Sequence, residues 1–96
     1  MNDLALIGQL LAKGHVTDEL VRKWSRAAAL LAGLDAIGRD GSVVLIKVDG
    51  ARSEMPYSVV ISGQRLGDSF FRKDGGDVLS LMQEAIEFYD LEVWSK

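Results

Sequence analysis

The chain has no cysteine and only one histidine, His15, among its 96 residues. Without thiols there are no disulfides, thiolate metal centres or cysteine nucleophiles. One imidazole cannot build a zinc site, which needs several nitrogen or sulfur ligands. Long apolar runs are also missing. The longest, Ala27 to Leu34, is interrupted by Gly33 and falls far short of the ~20 residues that cross a bilayer. Basic charge is the scarcer sign: 11 Lys and Arg stand against 14 Asp and Glu, for a net charge of −3. That field repels phosphate backbones and anionic membranes, so nucleic acid is a disfavoured partner and a membrane is not expected.

Catalytic motifs are equally thin. The ten glycines form neither a G-x-G-x-x-G nor a lysine-bearing phosphate loop. Asp74 and Asp77 flank Gly75-Gly76 without the acidic ladder and terminal glutamate of a calcium loop, which leaves them as turn and cap. His15 follows Gly14 in a turn and has no nucleophile or orienting carboxylate at a known spacing. The expectation is therefore no catalytic residue, no metal and no cofactor.

What is present is the composition of one globular domain, residues 1–96: 48% hydrophobic and 26% charged. Asp3, Gly8, Gln9 and Lys13 break the pattern of a secretory leader around Leu4 to Ala12, and a cytoplasmic protein starting at Met1 is expected. Leu4, Ile7 and Leu11 recur at helical spacing up to Gly14, giving a first helix over about 3–13. Thr17 is an N-cap candidate with Asp18 and Glu19 in the first turn. The face Leu20, Trp24, Ala27, Ala28, Leu31 gives a second helix over 18–32 that closes a helical hairpin. After Gly38 to Gly41 the period changes to that of a strand, Val43 to Val48, apolar on both faces and expected to be covered at Val44 and Ile46. Asp49 to Pro56 is a loop, and Tyr57 to Ser62 a second strand. A type II′ turn at Gly63-Gln64 would set Ile61 opposite Leu66 and Tyr57 opposite Phe70 in a third strand, Leu66 to Arg72. Asp77 caps a last helix over 78–92. The fold class is α+β, an ααβββα chain with a three-stranded antiparallel meander and helices on one face. The expected core joins Leu11, Trp24, Leu31, Ile46, Val59, Ile61, Phe70, Met82, Ile86 and Tyr89.

A helix, three antiparallel strands and a helix is also the arrangement of double-stranded-RNA-binding domains. Those modules carry lysines where the last helix begins. Here that helix opens Asp77-Val78-Leu79-Ser80 and continues through Glu84, Glu87, Asp90 and Glu92, which repels RNA. Arg22, Lys23 and Arg26 form a solvated face of the second helix.

The charge asymmetry is the one surface feature that stands out. Residues 1–48 carry six bases and five acids, residues 49–96 five and nine. Glu84, Glu87, Asp90 and Glu92, with Trp94 as an aromatic anchor, form a candidate surface for a basic protein partner such as a toxin or nuclease. The functional expectation is a small acidic non-catalytic binding module: an inhibitor of the immunity-protein or antitoxin type, or an adaptor or chaperone. The alternative is a nucleic-acid or small-ligand binding regulatory domain.

Overall fold

Local signals set most element boundaries in the computed structural model, which describes residues 1–96. Asn2 accepts from the Ala5 N–H and opens α1, Asp3–Ala12. Thr17 accepts from the Leu20 N–H and opens α2, Asp18–Ser25. A third helix follows, α3 (Ala28–Arg39), then β1 (Val43–Val48), β2 (Tyr57–Ser62), a 3₁₀ turn at Gln64–Leu66, and β3 (Phe71–Gly75). Asp77 accepts from the Leu79 and Ser80 N–H groups to start α4, Val78–Tyr89, which runs into a π-helical turn at Asp90–Trp94. The strands form one antiparallel sheet in the order β1-β2-β3. The class is α+β, and no helix is long and apolar enough to cross a membrane.

The expected second helix is two helices. Around Ser25 the bonds tighten to i→i+3: Arg26 N–H donates to the Lys23 carbonyl and Ala27 N–H to that of Trp24, while the Ser25 hydroxyl bonds back to Val21. The break lets Trp24 turn edge-on to Tyr57 at 6.2 Å, while buried Ala27 leads α3 in a new direction. Gly33 does not stop this helix. An added Cβ there would stand 2.8 Å from Ile86 Cδ1, so the missing side chain lets α3 and α4 approach closely. The stop comes at Gly41, which has φ +105°.

The β2–β3 connection also differs from the expected tight turn. Gly63 and Gly67 both adopt positive φ and the 3₁₀ turn folds Leu66 into the core. Ile61 consequently faces Phe71, and Tyr57 faces Gly75. The odd offset exchanges the faces of the two phenylalanines. Phe71 packs on Phe88 at 5.6 Å, while Phe70 is 62% exposed. Asp74 is thus a strand residue rather than a turn residue.

The core is Ala27, Leu34, Ile37, Tyr57, Val59, Ile61, Leu66, Val78, Leu81, Met82, Ala85 and Tyr89, with Trp24, Val44, Phe71 and Ile86 packed against it. Of the residues expected there, Leu31, Ile46 and Phe70 are exposed and Leu11 is only half-buried outside the cluster. β1 is not covered on both faces: Leu45 is 58% and Val48 62% exposed. α1 buries no residue at all.

Candidate functional site

Helical spacing places Glu84, Glu87, Asp90 and Leu91 along the outer side of α4 and its π extension, opposite the face that Val78, Met82, Ala85 and Tyr89 turn to the core. The wider turn is closed by the Ser95 N–H donating to the Asp90 carbonyl at 2.7 Å. It brings residue i+5 above residue i, so Trp94 swings back over Tyr89, edge-on at 5.0 Å. Trp94 thus lies over the core edge, yet 40% of it remains exposed.

The carboxylates are not equivalent. Glu84 accepts from Lys73 Nζ at 2.7 Å, and Glu92 lies 3.9 Å from Lys96 Nζ, off the line of the other three. Glu87 accepts only from the Gln83 amide at 3.0 Å. Asp90 is exposed, and neither Glu87 nor Asp90 is paired with a cation. Leu91, one turn on from Glu87 and next to Asp90 in sequence, is exposed.

Two polar networks escaped the sequence reading. On the sheet face away from the helices, Arg52 donates to Ser58 Oγ at 2.9 Å and to the Pro56 carbonyl, and pairs with Asp74 at 3.2 Å. The buried Ser58 hydroxyl also donates to Asp74. This hydroxyl, with help from Arg52 and Arg72, holds the Asp74 carboxyl below the usual range. Asp49 is lowered first by the Ala51 N–H, then by Lys47 and Arg52. Arg52 Nε is enclosed 3.4 Å from Asp49 Oδ2, within ion-pair range but without a hydrogen bond. The arrangement pins the Asp49–Pro56 loop to the sheet. A serine bonded to an aspartate with no imidazole beside it is no activated nucleophile. In the second network the Tyr89 hydroxyl donates to Asp40 Oδ2 at 2.7 Å and shares a 2.9 Å bond with Ser42 Oγ, tying the end of α4 to the α3–β1 corner. Burial raises the Tyr89 pKa above 10.0.

His15 is exposed in the α1–α2 turn, whose closing bonds come from the backbone N–H groups of residues 13–16. No group of three or more His, Cys, Asp or Glu side chains is placed to hold a metal. A concavity of about 590 Å³ lies between α2 and the start of α4 and is lined by Arg22, Lys23 and Arg26 together with Gly76, Asp77 and Leu79. Lys23 is engaged there with the Tyr57 hydroxyl at 3.1 Å, and Asp77 is held low chiefly by its bonds from Ser80.

No protein-family model, curated protein or solved structure matches the chain.

Proposed function

We propose that this protein is a small, non-catalytic, acidic binding module that docks a basic protein partner through the outer side of α4, in the manner of an inhibitor of the immunity or antitoxin type. One observation carries the reading: Leu91, exposed on a helix end, stands one turn from Glu87 and next to Asp90 in sequence, two carboxylates that no cation neutralises, while the part-exposed edge of Trp94 lies nearby in sequence over Tyr89. Apolar and aromatic anchors supply affinity once water is excluded, and unneutralised carboxylates steer a basic surface toward them. The lack of cysteine suits a reducing, cytoplasmic setting.

The test compares wild type with Glu87→Lys/Asp90→Lys/Leu91→Ala in capture of basic proteins, followed by association kinetics with the partner so identified. None of the three side chains is in the core, so the variant keeps its circular dichroism. It should lose the captured partner and slow association roughly tenfold or more at low salt. Unchanged capture and unchanged rates would contradict the proposal.

The α2–α4 groove favours a second reading, an anionic or nucleic-acid ligand, because the exposed Arg22 and Arg26 border it. Salt-sensitive RNA binding abolished by Arg22→Ala/Arg26→Ala would establish it.

A further inference from the structure

β1 is an edge strand of sequence VVLIKV. Natural edges are usually blunted by charges, proline or a bulge; this one carries a single charge, Lys47, already paired with Asp49 at 3.5 Å. The Asp49 N–H donates to the Pro56 carbonyl at 2.8 Å, continuing the β1–β2 register by one pair. Alternation along an antiparallel ladder then turns Val43, Leu45 and Lys47 toward β2, and points the N–H and C=O groups of Val44, Ile46 and Val48 outward. The side chains of these same three residues lie on the helix-covered face, since they stand opposite buried Ile61, Val59 and Tyr57. Ile46 and Val48 nevertheless remain exposed.

We propose that β1 pairs antiparallel with β1 of a second copy of this chain, about a two-fold axis at Ile46, to make one continuous sheet. In this register Val44 of each copy faces Val48 of the other and Ile46 faces Ile46, each pair exchanging backbone bonds. The pairing satisfies the outward groups and forms an apolar seam of valine and isoleucine. Val48 of the second copy comes to lie beside Val44, whose side chain borders a groove of about 530 Å³ with Leu31, Leu34 and Gly38. Self-pairing meets no charge conflict, because Lys47 of one copy faces Leu45 of the other and is neutralised by its own Asp49.

The chain exposes 6524 Å², whereas a compact monomer of its mass exposes about 5,400 Å². The side chains of Val43, Leu45, Ile46 and Val48 on β1 are among the large hydrophobic residues left exposed. The outer side of α4 takes no part in the seam, so failure of this pairing and failure of partner docking are separate results.

Sedimentation velocity on the full chain over a range of concentrations tests the pairing, alongside Ile46→Pro and Val48→Lys. Proline at Ile46 removes an outward N–H and leaves the ladder to β2 intact, and lysine at Val48 is already in solvent. The wild type should be a dimer that dissociates on dilution, and each variant should weaken self-association roughly tenfold or more with circular dichroism unchanged. In this cysteine-free chain Ile46→Cys should form an intermolecular disulfide under mild oxidation, since paired Cα atoms at ~5.5 Å are within disulfide reach. Met55→Cys, exposed but off the strand, should not. A wild type that stays monomeric, a dimer indifferent to both variants, or an Ile46→Cys chain that fails to cross-link overturns the proposal.

Discussion

Tyr89 is fully buried, yet its hydroxyl serves two partners, Asp40 and Ser42, and Ser42 is itself buried. Tyr89→Phe keeps the packing but strands the Ser42 hydroxyl and frees Asp40. Chemical denaturation should show a loss of about 1–3 kcal/mol; a loss under about half a kcal/mol would mean that water replaces the phenol without cost. The same group sets a pH dependence. Its folded pKa lies above the unfolded value, so the folded state binds the proton more tightly. The resulting stability is complete below pH about 10 and is lost as pH rises through the folded pKa. Absorbance titration should find a tyrosine that ionises above the usual phenol range, and Tyr89→Phe should remove that step. Asp49, Asp74 and Asp77 behave in the opposite sense. Their lowered pKa values give stability present above about pH 4 and lost as pH falls through the folded values.

At the scale of elements, caps and periodicity made most of the fold legible. Thr17 and Asp77 do cap helices, Val43–Val48 and Tyr57–Ser62 are strands, and Val59, Ile61, Met82 and Tyr89 are core. What local pattern could not show was long-range geometry. Gly33 looks like a helix stop until Ile86 is seen against it. The pair Phe70-Phe71 offers two registers, and only the folding of Leu66 into the core decides between them. The candidate site was legible as a run of carboxylates, but their division into paired Glu84 and Glu92 and unpaired Glu87 and Asp90 depends on where Lys73 and Lys96 reach. Arg52 and Ser58 are joined by a loop that returns to the sheet, so no spacing rule links them. The observed register makes a direct prediction: Phe71→Ala should cost about 2–4 kcal/mol, because its ring packs on Phe88, whereas Phe70→Ala should stay within about half a kcal/mol. Equal or reversed costs would restore the tight-turn register.

Over the whole molecule, α4 covers β2 and β3 and α3 packs on β1, while the outer edge of β1 and all of α1 stand open. The radius of gyration is 15.4 Å with extents of 48 × 30 × 18 Å, against about 12.5 Å for a compact chain of this length. α1, with Leu4 82% exposed, supplies much of that length. On the proposed reading, a small domain that leaves so much apolar surface in water uses it for association. The most direct measurement of that claim is residue-resolved amide hydrogen exchange at low and high protein concentration. The Leu45 and Lys47 amides, bonded to β2, should be protected in both. Those of Val44, Ile46 and Val48 should exchange rapidly when dilute and become protected as concentration rises. Rapid exchange of these three amides at every concentration would contradict the account.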